Sequence, residues 1–125
     1  MICAGPVANR AVEAALRLKA ETGWNPSIYN IRYIKPLDVS LLDAAAAVHS
    51  MFVTVEDGCV VGGLHAAVSE YLASSDCAKP VAAVGIPDRY VSQGTQHELR
   101  DECGLTETRL YDVFKREKEK IFKKD

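Results

Sequence analysis

The hydrophobic and polar positions of this chain follow two periodicities in turn. Over residues 7–21, apolar side chains recur every three or four positions opposite a charged face, which predicts an amphipathic helix that ends at Gly23. Shorter stretches predict helices over residues 38–48, 63–73 and 95–103. The residues predicted to face the core in the first helix are Ala8, Ala11, Val12, Ala15 and Leu16.

Polar residues at the starts of these helices are suited to cap them. Asp38 or Ser40 can accept a hydrogen bond from the first turn of the second helix. Thr95 and Glu98 have the spacing of a capping box, in which each side chain bonds to the other residue's backbone N–H. A last helix is expected to begin near Leu105. Its predicted apolar stripe consists of Leu110, Val113, Phe114 and Ile121.

Between the helices lie short runs of β-branched, aromatic and other apolar residues. Residues 27–34, 51–55 and 81–84 are predicted strands, and residues 1–5 are typical of the last part of a strand and its turn. Pro36 ends the run over 27–34, because proline cannot donate to a sheet ladder. Strands that alternate with helices predict an α/β fold with a mostly parallel sheet and helices on both faces.

Size and composition indicate one globular domain over residues 1–125. The net charge of −2 gives no reason to expect nucleic acid, and no run of eighteen apolar residues predicts a membrane span. The four cysteines form no CxxC pair, so we expect free thiols in the cytoplasm. The basic stretch over residues 115–124 predicts a solvated helical face followed by a frayed tail.

One segment places polar groups where open α/β sheets bind ligands, beyond the carboxyl end of a strand. It contains two carboxylates, two adjacent glycines and a histidine, namely Glu56, Asp57, Gly62, Gly63 and His65. One interpretation is a polar binding site or an anion site at the helix start. The other is structural: a carboxylate caps the helix, and the glycines allow close packing. The sequence assigns no catalytic, cofactor-binding or metal-binding residue, because GxGxxG, phosphate-loop and histidine-pair motifs do not occur.

Four motifs in order resemble the C-terminal domain of the transketolase family, and within it the deoxyxylulose-phosphate synthases. They are the KPLD segment at 30–38, the VTVED segment at 53–58 with its following glycine pair, the GIPD segment at 85–91, and the CGLT segment at 103–106. Two positions depart from the pattern of that group. His65 replaces a small residue, and Ser92–Gln93 replaces the histidine that precedes a glycine.

The resemblance implies a three-layer sandwich with about five strands, and a chain that is a fragment of a longer enzyme. That enzyme would be a transferase that makes 1-deoxy-D-xylulose 5-phosphate and CO₂ from pyruvate and glyceraldehyde 3-phosphate, for isoprenoid biosynthesis. Thiamine diphosphate and Mg²⁺ would be held by its other domains, with no cofactor in this fragment. The implied role of the fragment is structural: it would contact those cofactor-binding domains and stabilise a homodimer, and would be inactive alone.

Two other functions compete with this one. Related C-terminal domains belong to the β subunits of 2-oxoacid dehydrogenases, so the chain could be a stand-alone interaction module. An exposed apolar patch over residues 60–65 would favour that reading. The third hypothesis is a domain that binds small anions at the helix start near Gly63.

Overall fold

A computed structural model describes residues 1–123 as a three-layer α/β sandwich. The strands are β1 (Ile2–Ala4), β2 (Tyr29–Ile31), β3 (Phe52–Cys59) and β4 (Val81–Ile86). The helices are α1 (Val7–Thr22), α2 (Val39–Val48), α3 (Leu64–Ser74), α4 (Gln96–Glu102) and α5 (Glu107–Phe122). Within these residues, no helix combines the length and the hydrophobicity that a membrane span requires.

All strand pairs in the sheet are parallel, in the order β2-β1-β3-β4. Helices α1 and α5 cover one face, where Cys3, Val55 and Val84 are buried. Helices α2 and α3 cover the other face, around Ile2 and Phe52. The predicted fold class is confirmed, although the sheet of the described residues has four strands where about five were expected.

The sheet differs from the prediction in strand length. Strand β2 has only three residues instead of the predicted 27–34, because its partner β1 offers a ladder only from Ile2 to Ala4. Strand β3 runs beyond Val55 to Cys59, with a register shift against β4 at that point. The shift is a bulge-like irregularity, and it lets Val60 donate a backbone hydrogen bond to the Ile86 carbonyl at 3.0 Å.

Helix α1 is rotated relative to the predicted core stripe. Val12 and Leu16 were expected to face the core, but they are 40% and 59% exposed. The buried face includes Ala8, Ala11 and Ala15 as predicted, together with residues that the prediction left out, Val7, Ala14 and Leu18. Apolar residues cover more than one side of this alanine-rich helix, so its periodicity alone leaves the rotation open.

The helix caps follow the local sequence. The Asp38 side chain accepts the Leu41 N–H at 3.0 Å, and Thr95 and Glu98 form the predicted capping box. Helix α5 begins after Thr106, which caps it. Its basic segment is not wholly solvated, because Glu117 is buried beside Lys120 and Arg116. The expected frayed tail falls largely on residues 124–125, outside the described residues.

Candidate functional site

The predicted polar corner is built around Glu56, near the end of β3. Its side chain is only 4% exposed. One carboxylate oxygen accepts the Leu64 N–H at 2.8 Å, and the other accepts the His65 N–H at 3.0 Å. These are the first two residues of α3. Glu56 therefore caps this helix with a full negative charge at the positive end of the helix dipole.

Two glycines make room for this carboxylate. A Cβ on Gly63 would lie 2.2 Å from Glu56 Oε2 and 2.4 Å from the Cys59 carbonyl oxygen. A Cβ on Gly85 would lie 2.9 Å from Glu56 Cγ. Gly62 has a φ of 76°, in the left-handed region that favours glycine. The close packing that the structural interpretation required is thus present at Gly63.

His65 bonds to the sheet below it. Its Nδ1 lies 3.3 Å from Thr54 Oγ1, and the Thr54 hydroxyl donates to the Ala82 carbonyl at 3.3 Å. Thr54 Oγ1 thus contacts both the His65 ring and the Ala82 carbonyl, and the tautomer of the ring determines whether Nδ1 donates to Thr54 or accepts from it. Thr54 is fully buried, so this bond links the first turn of α3 to the two strands beneath it.

Asp57 does not join this cluster. Successive side chains of a strand point to opposite faces, so Asp57 lies on the α1 side of the sheet. Its Oδ2 is 3.8 Å from Arg10 Nη2, while Arg10 Nε donates to the Leu105 carbonyl at 2.7 Å. Asp57 and Arg10 thereby link β3, α1 and the turn before α5.

The structure thus brings together Glu56, Gly63 and His65 and separates Asp57 from them. Sequence reasoning missed Thr54, Gly85 and Arg10. Thr54 could have been found, because it lies two residues before Glu56 and so shares its face of β3. The roles of Gly85 and Arg10 depend on neighbours that are far away in the sequence.

A cleft of about 200 Å³ lies beside Asp57, between the end of β4 and α4. Burial raises the pKa of the Cys103 thiol in its wall, with a further contribution from the charge of Glu102. A raised pKa disfavours the nucleophilic thiolate. No group of three or more His, Cys, Asp or Glu residues in the described part of the chain could hold a metal ion.

The polar corner is therefore a structural contact inside the domain, in which Glu56 connects β3 to the start of α3. The backbone N–H groups of Leu64 and His65, which could receive an anion, already donate to Glu56. A bound anion would have to displace that carboxylate or lie beside its negative charge.

Comparison with known families agrees with the fold. The sequence model of the family described as "Transketolase, C-terminal domain" matches residues 1–110. The chain belongs to the transketolase C-terminal domain family. The predicted resemblance is thereby confirmed.

The similar curated proteins are much longer than this transketolase C-terminal domain. A 1-deoxy-D-xylulose-5-phosphate synthase of Chlorobium luteolum is 44% identical over 101 residues, which are 81% of this chain and 16% of that protein. The synthase of Bacteroides thetaiotaomicron is 38% identical over 110 residues, 88% of this chain and 17% of that protein. The chain thus spans about a sixth of the length of these relatives.

A solved structure has the same fold. It is a chain of "Split gene transketolase, inactive beta4 tetramer", with a TM-score of 0.83 and 31% sequence identity. The match covers 92% of this transketolase C-terminal domain and 37% of the other chain.

Proposed function

We propose that this chain is the C-terminal scaffold domain of a 1-deoxy-D-xylulose-5-phosphate synthase. The observation that carries the proposal is the 44% identity to such a synthase over 81% of the chain. The full-length enzyme joins pyruvate to glyceraldehyde 3-phosphate with loss of CO₂. This domain supports the cofactor-binding domains of the same enzyme and associates with a second copy, and the fragment alone is inactive.

The residues present do not fit thiamine diphosphate and Mg²⁺ at the polar corner. The helix-start N–H groups that would receive a pyrophosphate donate to Glu56, and its charge would repel phosphate oxygens. We therefore assign the cofactor and metal to the other domains of the enzyme. When bound there, the cofactor supplies the carbanion and the electron sink of the reaction.

Exposed apolar side chains support a contact with those domains on the side where the strands have their carboxyl ends. Tyr33, Val61 and Tyr90 are 68%, 64% and 101% exposed, and they lie in the loops after β2, β3 and β4. Parallel strands end at the same edge, so these three loops share one side of the domain. Within residues 60–65, Val61 is exposed and Leu64 is buried, so the apolar patch that the interaction-module hypothesis required is limited to one strongly exposed side chain.

A chimaera tests the proposal. The part of the Chlorobium luteolum synthase that aligns with this chain is replaced by it, and formation of 1-deoxy-D-xylulose 5-phosphate is measured. We expect activity well above that of the truncated relative. The same chimaera with Gly63→Ala should lose activity, and one with Gly58→Ala should keep it, because a Cβ on Gly58 makes only an ordinary 3.6 Å contact. A folded chimaera no more active than the truncated enzyme would contradict the proposal.

Calorimetry tests the assignment of the cofactor separately. Thiamine diphosphate with Mg²⁺ is titrated into the 125-residue chain, and we expect no binding heat. Micromolar binding would refute the assignment of the cofactor to other domains.

We also assign the protein to the cytoplasm, which its unpaired cysteines support.

A further inference from the structure

Strand β4 forms an open edge of the sheet. It pairs with β3 on one side, and no strand of the described residues pairs with it on the other. Phe52 donates to the Pro80 carbonyl, and Val60 donates to the Ile86 carbonyl. The even-numbered residues of β4 therefore point their backbone groups toward β3. By alternation, the N–H and C=O groups of Val81, Ala83 and Gly85 point outward.

Over its own length this edge lacks most of the features that usually prevent strands from pairing, although Lys79, Pro80 and Pro87 flank it. Residues Val81–Ile86 include no charged side chain and no proline, and Ala83 at the centre is small and exposed. The opposite edge of the sheet is different, because β2 has three residues and both Tyr29 and Ile31 lie within its ladder to β1. Only Asn30 points its backbone groups outward there.

Each face of the sheet has a groove beside the start of β4. A groove of about 850 Å³ lies on the α5 side, along Val81, Ala82 and Ile121. A groove of about 430 Å³ lies on the α3 side, along His65, Ser69 and Val81. The side chains of an added strand alternate between the two faces, so those that lie beside Val81 and Ala82 would enter these grooves.

We propose that β4 pairs antiparallel with β4 of a second copy of this chain, about a two-fold axis at Ala83. The three outward residues are spaced evenly about Ala83, so Ala83 lies opposite Ala83 of the second copy, and Val81 lies opposite Gly85 of the second copy. All three pairs are then hydrogen-bonded pairs that exchange both backbone bonds. The paired side chains at the axis are methyl groups, the smallest side chains that a residue other than glycine can place there.

A second copy is the occupant that the observations favour. A two-fold antiparallel pair satisfies the same edge on both chains at once and leaves none of these outward groups open. The similar transketolase structure, at 31% identity, is described as a tetramer of one kind of subunit. This inference rests on the self-association included in the proposed function, and it specifies the surface that carries it.

Disulfide trapping tests the register. Ala83→Cys is made in a chain with Cys59→Ser and Cys77→Ser, which removes both exposed thiols. Opposed residues of a hydrogen-bonded antiparallel pair have Cα atoms about 5.5 Å apart, within the range of a disulfide. Mild oxidation should give a covalent dimer. The control Ala44→Cys, exposed on α2, should give none above background.

Sedimentation over about two decades of concentration tests the pairing itself. We expect a monomer–dimer equilibrium whose Kd rises at least about tenfold in Ala83→Lys, because like charges then face each other across the axis. Ala44→Lys should leave the Kd unchanged. A chain that stays monomeric, or a dimer that ignores Ala83→Lys and is not trapped by Ala83→Cys, overturns the inference. A chimaera that is active although this domain stays monomeric would overturn the inference and leave the proposed activity intact.

Discussion

Replacement of Glu56 by glutamine tests the hydrogen bonds that connect β3 to the start of α3. The carboxylate holds two backbone N–H groups, at 2.8 and 3.0 Å, in a site that is 4% exposed. Glutamine has nearly the same shape, but it offers one carbonyl oxygen and one NH₂ group. The NH₂ group would face the N–H of Leu64 or His65, so a donor would lie against a donor without access to water.

The magnitude follows from these contacts. A hydrogen bond to a charged group contributes about 1.5–3 kcal/mol to stability, and a charge at a helix end adds about 0.3–1 kcal/mol. Glu56→Gln loses one of the two bonds and the charge, so the free energy of unfolding should fall by about 2–4 kcal/mol. Glu56→Ala also leaves the second N–H unpaired and opens a cavity, and should lose about 3–5 kcal/mol. For a chain of this length, Glu56→Gln should lower Tm by roughly 10 °C.

Urea unfolding followed by far-UV circular dichroism measures the loss, and hydrogen exchange locates it. The amides of Leu64 and His65 should lose more protection than the rest of α3. Asp57→Asn is the matched control, since its carboxylate is 42% exposed and 3.8 Å from Arg10, and it should change stability by less than about 1 kcal/mol. If Glu56→Gln unfolds within about 0.5 kcal/mol of the parent chain with both amides protected, Glu56 is not the cap described above.

Three further predictions use other contacts. Gly63→Ala should strongly lower the free energy of unfolding in urea, because its Cβ would lie 2.4 Å from a backbone oxygen. Gly58→Ala should leave that free energy nearly unchanged, and equal losses in the two variants would contradict this packing. Cys3 is buried, which raises its thiol pKa to about 11, so mass spectrometry should find iodoacetamide on Cys59 well before Cys3 unless the chain is unfolded. Acidification should destabilise the fold, because hydrogen bonds hold several carboxyl pKa values below their ordinary 4.5 for Glu and 3.8 for Asp. These carboxyls are Glu21, Glu98, Asp101 and Glu102. Their stabilisation is present above pH 4.5 and is lost as the pH falls through the lowered values, and a Tm that is constant from pH 6 to about pH 3 would contradict it.

The order of the elements and the local caps followed from the amino-acid sequence. Hydrophobic periodicity and capping residues together predicted the five helices of the described residues. The Thr95–Glu98 capping box and the Asp38 cap could be predicted because their hydrogen bonds span three residues. The order of the four motifs also predicted the family, because the motifs are distributed along most of the chain. The composition of the segment from Glu56 to His65 indicated a polar corner, and it left open whether that corner binds a ligand or caps a helix.

Three other features depend on tertiary packing. The rotation that leaves Leu16 exposed depends on how α1 packs against the sheet and α5, because an alanine-rich helix has more than one apolar side. The length of β2 depends on its partner strand, since a ladder cannot outlast the chain it pairs with. Glu56 reaches α3 only because a turn returns the chain eight residues later. Hydrogen bonds and close approaches between distant residues have no local signature in the sequence. They determine the contacts of Glu56 with α3, and the strand order that leaves β4 at an edge of the sheet.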